Sequence, residues 1–260
     1  MPGSVRKAQI RRMIWERLTR QGLALFPGAY GRTPRFRGQE QGVDRLAQLD
    51  VWRSARRVVV LPDMALDPIR ERVISERKIL IVPDLARVTE DWILEIDPAK
   101  ADEPAAIEAA HALGSGADEP HEGIRFQRGR DTAPADLMVI GAVGVNRRGT
   151  RVGRGAGGAD LVYAIGRDRG FVRADTPVAV VVHPEQLFDE PAVREPSDLP
   201  VDYIVTPAET IHIEAVVMRP KGLDPCMVTS HRLECFPGLR RILEREGIAV
   251  PPGTCRPSRP

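Results

Sequence analysis

Two rhythms of hydrophobic positions alternate along the chain. Near the start, Ile10, Met13, Ile14 and Leu18 recur at three- and four-residue steps, which predicts a helix over 4–23 with Ser4 as its N-cap. A Gly/Pro/Arg-rich loop, FPGAYGRTPRFRG, follows, and Val43, Leu46, Leu49 and Trp52 then mark one face of a second helix over 43–55. Short apolar runs take over from there. RVVVLP (57–62), KILIVP (78–83) and DWILEI (91–96) read as strands. Between them lie a helix over 67–77, with Pro68 in its first turn, and another at about 103–113. Residues 114–135 are polar and Gly-rich, a surface loop or small hairpin. DLMVIGAVGVN (136–146) is an unbroken apolar run of the kind found in strands buried on both faces. A helix over 159–170 closes at Gly170. PVAVVVH (177–183) and VDYIVTP (201–207) are further buried strands, and IHIEAVV (211–217) alternates like an edge strand. A last helix, at about 235–246, ends at Gly247.

Strands that alternate with helices imply an α/β fold: an open, mostly parallel sheet with helices on both faces, Rossmann-like in kind. The 260 residues suffice for one large domain, expected over 1–248, with a flexible Pro-rich tail over 249–260. A content of 42% apolar and 28% charged residues excludes intrinsic disorder and a collagen-like chain. The net charge is only +2, and all but four of the 38 basic residues are arginines spread along the whole chain. Nucleic-acid binding needs clustering, so no nucleic-acid partner is expected. No run approaches the roughly 18 apolar residues of a membrane span. The first residues lack a hydrophobic signal core, and the three cysteines form no C-x-x-C pair. A cytoplasmic protein without membrane contact is therefore expected; Cys226 and Cys235 read as buried fillers, and the oligomeric state stays open.

One segment concentrates the chemistry. After the strand at 136–146 come Arg151, Gly153, Arg154, Gly155, Gly157, Gly158 and Asp160, and then the helix over 159–170. Open α/β sheets hold ligands outside the carboxyl ends of their strands, and glycines there let backbone N–H groups converge on phosphate oxygens. The helix start adds a positive dipole end, worth roughly 0.3–1 kcal/mol toward an anion. Arg151 and Arg154 have the planar fork that chelates phosphate. Asp160 reads either as a first-turn complement to the dipole or as a ligand to Mg²⁺ carried on nucleotide phosphates. Gly153, Gly155 and Gly158 also fit the dinucleotide fingerprint formally, but Asp175 precedes the next strand where the fingerprint needs an acid at the strand's end. No P-loop pattern occurs, and of the five histidines only His183, at a strand end, is a candidate to line the site.

The run DLMVIGAVGVNRRGTRVGRGAGGADLVYAI resembles the signature of the 5-formyltetrahydrofolate cyclo-ligase (methenyltetrahydrofolate synthetase) family. Lys7-x-x-Ile10-Arg11 is similar to that family's opening helix, and HPEQLFDEPAVREPSDLPVDYIVTP to its distal part. FPGAYGRTPRFRG, LDVWRSARRVVVLPD and KGLDPCMVTSHRLECFPGLRRIL resemble a longer, methenyltetrahydrofolate-synthetase-domain subgroup. The resemblance implies the cyclo-ligase type of α/β fold and an ATP- and Mg²⁺-dependent ligase. Such an enzyme phosphorylates the formyl oxygen of 5-formyltetrahydrofolate and closes the ring to 5,10-methenyltetrahydrofolate.

Carried over by motif, the resemblance gives Lys7, Arg11 and Arg151 to the phosphates and Gly153, Gly155 and Gly157 to the cradle, with Arg154 and Gly158 in the same turn counted to the nucleotide site. It gives Asp160 and Asp198 to Mg²⁺, Arg151 and Asp160 to the catalytic centre, and Gln186 to the substrate's vicinity. Three positions depart from the family pattern. Gly158 and Ala159 stand where aromatic residues are usual, and Gly141 stands where proline is usual. Two alternatives therefore stay open beside a reduced-folate substrate: the same ATP-dependent cyclisation on a non-folate substrate, or a non-catalytic nucleotide- or RNA-binding module.

Overall fold

The computed structural model describes residues 2–87, 91–111, 124–127, 131–189, 194–214 and 218–245. In its first half the helices are α1 (Pro2–Arg20), α2 (Gln39–Ala47), α3 (Asp50–Ser54), α4 (Asp67–Ser75) and α5 (Glu103–His111). The strands there are β1 (Arg57–Val60), β2 (Ile79–Pro83), β3 (Ile93–Ile96) and β4 (Ile124–Gln127). The second half holds β5 (Leu137–Val139), β6 (Gly144–Val145), β7 (Arg151–Val152), α6 (Gly158–Arg169) and β8 (Val178–Val181). It continues with β9 (Tyr203–Val205), β10 (Thr210–His212), α7 (Ser230–Cys235) and α8 (Pro237–Arg245).

Eight strands form one sheet in the order β10-β9-β8-β5-β1-β2-β3-β4. The five from β9 to β2 are parallel; β10 at one edge and β3 at the other run against them, and β4 pairs antiparallel with β3. The central runs Val58–Val60, Leu80–Val82 and Leu137–Val139 are all fully buried, as strands covered on both faces must be. Two crossovers explain the covering layers. The path β1–α4–β2 moves one way across the sheet and β5–α6–β8 moves the other. Both being right-handed, they set α4 and α6 on opposite faces. The strands from which the paths diverge, β1 and β5, are neighbours, and a crevice opens past their carboxyl ends.

Four predicted stretches come out differently. The run 136–146 is not one strand. β5 ends at Val139, Ile140 makes a last bond to Ala179 O, and the chain then leaves the sheet to form the antiparallel pair β6–β7. At the bend a side chain on Gly141 would meet Thr33 Cγ2 at 2.8 Å. The helix expected over 43–55 breaks into α2 and α3, because Leu49 is extended (ψ 143°). The last helix breaks at Pro237, which cannot donate to the preceding turn and instead starts α8. Within 114–135, expected as a surface loop or small hairpin, the described residues include a strand of the main sheet instead: β4 pairs with β3, and α5 lies between the two in sequence. The expected tail, 249–260, and positions 215–217 of the expected edge strand lie outside the described residues.

Helix α1 packs away from the main core. Its buried stripe Ile10, Ile14 and Leu18 meets Val143, Val152 and Phe188 around the β6–β7 pair. Lys7 and Arg11 continue that stripe by four- and three-residue steps, so burying the apolar face carries both cations inward.

Candidate active site

A cavity of about 480 Å³ occupies the crevice beyond β1 and β5. Leu61 and Asp63 follow β1, Gly141 follows β5, and β7 with the start of α6 closes the opposite side. The β6–β7 turn fixes β7 in place: Asn146 Oδ1 accepts from the N–H groups of Arg148 and Thr150, both at 3.0 Å. Arg151 is thereby a strand residue, 7% exposed, where the sequence reading placed it in a loop.

The glycine cradle is built on backbone that other residues avoid. Gly155 has φ +122°, and Gly157, the N-cap of α6, has φ +71°. The first N–H groups of α6 have no partner inside the helix and face the cavity with its positive end. Gly153 keeps a third opening, since a Cβ there would lie 2.6 Å from Arg151 Nη1.

The charged side chains divide into paired and unpaired cations. Arg151 Nη2 donates to Asp160 Oδ1 at 2.5 Å, and the same oxygen accepts from Leu199 N at 2.9 Å. Lys7 Nζ donates to Asp198 Oδ2 at 2.5 Å, with Glu195 Oε1 at 3.8 Å. Arg11 Nε donates to Gly153 O at 2.7 Å and has no carboxylate partner among the described residues. Burial, helped by the neighbouring Arg151, holds the Arg11 guanidinium below its ordinary pKa against the pull of Asp198. The Nε atoms of Arg35 and Arg151 are buried without any partner. Such donors are costly unless a ligand with acceptor oxygens meets them.

All of the predicted site residues except Gln186 and His183 meet here. Lys7 and Arg11 arrive from α1, Arg151, Gly153, Arg154 and Gly155 from β7 and its loop, and Gly157, Gly158 and Asp160 from the start of α6. Asp198 reaches the wall from the segment before β9. Gln186 does not line the cavity, which corrects its expected place near substrate. Its Nε2 donates to Ala142 O and Val143 O, and its Oε1 accepts from His183 N. It is a strut that ties the 3₁₀ turn Pro184–Gln186 to the bend after β5. His183 also stays outside: its Nδ1 accepts from Glu185 N, and its ring meets Phe36 edge-on at 5.6 Å. Cys226 and Cys235, expected as buried fillers, are exposed.

Among the described residues no three metal-binding side chains converge. Asp160 Oδ2 and Asp198 Oδ1 nevertheless take no hydrogen bond from a described residue. That donor set fits Mg²⁺ brought in on phosphate oxygens, since the ion usually takes one or two carboxylates beside phosphate and water.

The model of the 5-formyltetrahydrofolate cyclo-ligase family matches residues 4–207, most of the chain and nearly all of this wall. The chain belongs to the 5-formyltetrahydrofolate cyclo-ligase family. Mouse and human proteins named methenyltetrahydrofolate synthase domain-containing protein are 33% and 32% identical to it over 245 residues. These alignments cover 93% of this chain but 64% and 62% of the two relatives. The solved structure of Aquifex aeolicus 5,10-methenyltetrahydrofolate synthetase superposes with a TM-score of 0.52 at 22% identity, over 81% of this chain and 94% of that one. That likeness is one of fold.

Of the residues of this cyclo-ligase-family cavity that sequence reasoning missed, four bear on its chemistry. Asp63 and Asp84 each follow a proline at the carboxyl end of a strand, in VLPD and VPD, and that repeated ending was the available signal. Arg232 and Phe236 lie beyond the matched segment; the run that holds them resembles the longer subgroup, but nothing in it marks either residue as part of a site.

Proposed function

We propose that this chain is an ATP-dependent ligase that converts 5-formyltetrahydrofolate to 5,10-methenyltetrahydrofolate. One observation carries the reading. In a member of this family, Lys7, Arg11, Arg151 and the Gly153–Gly158 cradle converge on one cavity at the switch point of the sheet. Bound MgATP would supply the phosphoryl group that turns the formyl oxygen into a leaving group, so that N10 can close the ring.

The chain's own residues do the positioning and the charge neutralisation, which is most of what phosphoryl transfer asks of a protein. The cradle's backbone N–H groups and the start of α6 hold phosphate oxygens. Arg11 brings an uncompensated positive charge beside them. Arg151, oriented by Asp160, presents a second guanidinium fixed in direction before any ligand arrives. Asp160 and Asp198 would hold Mg²⁺ through the oxygens that carry no hydrogen bond. Asp63 and Asp84 also line the cavity and would be acceptors for the N–H groups of a pterin ring. Phe236 restores an aromatic wall although Gly158 and Ala159 supply none.

The test is the methenyl absorbance band formed from 5-formyltetrahydrofolate by the purified chain. Product that requires both ATP and Mg²⁺ is expected. A folded protein that turns over ATP with no methenyl product removes folate from the reading, and one that binds no nucleotide removes the ligase.

A further inference from the structure

The family match stops at residue 207, yet Arg232 and Phe236 stand in the cavity wall. They belong to a segment made of the 3₁₀ turn Pro225–Met227, α7 and α8. This segment is locked in place rather than draped over the surface. Thr229 caps α7 by accepting from Arg232 N at 3.2 Å. Gly238 N donates to Leu85 O at 3.1 Å, which ties the start of α8 to the loop after β2. Leu239 and Leu243 are fully buried in the main core.

Arg232 is aimed. Its Nη1 donates to Met227 O at 2.8 Å, which fixes the guanidinium and turns its Nε–Nη2 edge toward the cradle. That edge lies over Gly157, the N-cap of α6, where a Cβ would come within 2.7 Å of Nε. No carboxylate pairs with Arg232 among the described residues, whereas Lys7 and Arg151 each have one. A guanidinium held against the positive end of a helix, near unpaired Arg11 and the partnerless Nε of Arg151, is a repulsive arrangement that only an anion relieves. Phe236 completes the lock, since a Cβ on Gly158 would lie 2.9 Å from its Cζ. A side chain at 158 would crowd the ring in this position, and the aromatic wall here is the one that Phe236 supplies.

We propose that Arg232 is a phosphate-binding residue of the nucleotide site, supplied by a C-terminal wall that Phe236 pins against Gly158. The inference rests on the nucleotide reading above and adds to it a ligand from outside the matched segment. Titration calorimetry with MgATP, inorganic tripolyphosphate and adenosine separates the two. Relative to the wild type, R232M should weaken MgATP and tripolyphosphate by about tenfold or more, leave adenosine unchanged and flatten the salt dependence. R232K should recover part of the loss, because it keeps the charge without the fork. F236A should weaken tripolyphosphate in the wild type but add little to R232M, since both act through one contact. Binding by R232M within twofold of the wild type overturns the role of Arg232 and leaves the nucleotide reading standing. A wild type that binds neither MgATP nor tripolyphosphate overturns both. A thermal unfolding midpoint shared by R232M, R232K and the wild type shows that the loss is one of contact and not of fold.

Discussion

Asp160 joins three things at once: the start of α6, the Arg151 side chain and the backbone at Leu199. Removing its carboxylate would strand a buried guanidinium, so D160A should cost about 3–5 kcal/mol, read from urea unfolding. D160N keeps one acceptor and should cost clearly less. Gly155 tests the cradle differently. Nothing lies within 3.4 Å of where its Cβ would be, so only the backbone angle opposes a side chain. G155A should therefore cost about 1–3 kcal/mol through φ alone, as lower stability or, if the loop yields, weaker nucleotide binding. Gln186 gives the opposite signature. Q186L leaves buried backbone groups of Ala142, Val143 and His183 unpaired, and should lower stability by about 1–3 kcal/mol while nucleotide affinity holds.

At the scale of elements, α1 works as a lever: its apolar stripe sets the depth at which Lys7 and Arg11 enter the site. Ile14 is fully buried and packs against Gly144 of β6. I14A should cost about 2–5 kcal/mol and should also weaken nucleotide binding, although residue 14 touches no ligand; chemical denaturation and calorimetry on one sample check both. Periodicity made this helix legible, along with α6, β1, β2, β8 and the layered class. The stretch 136–146 was not legible, because an apolar run states that residues are buried without stating in which sheet. β5 is buried between α/β layers, while β6 is buried under α1, and the switch between them rests on contacts to Thr33 and Ile14 from distant segments. Helix 43–55 failed for a related reason: Leu49 and Trp52 lie on the expected face, yet a single extended residue at 49 interrupts the backbone. The run that holds Arg232 and Phe236 showed a resemblance but no role, since their meaning comes only from what α8 docks against.

At the scale of the whole molecule, titration links stability to pH. Glu95, beneath the antiparallel edge of the sheet, is raised by burial, but hydrogen bonds from Arg125 and Arg57 outweigh this and hold its carboxyl below the ordinary value. The unfolded chain therefore takes up that proton first as pH falls through about 4.3. The stability Glu95 confers is complete above that pH and drains away as pH drops through the lowered folded value. His183 is lowered by burial, against a weaker raising pull from Glu185, so its contribution begins to fade below about pH 6.5. Urea midpoints should decline on acidification in both windows. The decline below pH 5 should be shallower in E95Q, and that between pH 6.5 and 5.5 shallower in H183N.

The cavity's first cation is residue 7 and its last is residue 232, so its assembly has an order in time. A ribosome releases α1, the sheet and the glycine turn well before the segment that carries Arg232. A nascent chain at that stage already holds an anion-attracting basin with one side missing, and the basin closes only once the stretch around residue 232 has emerged.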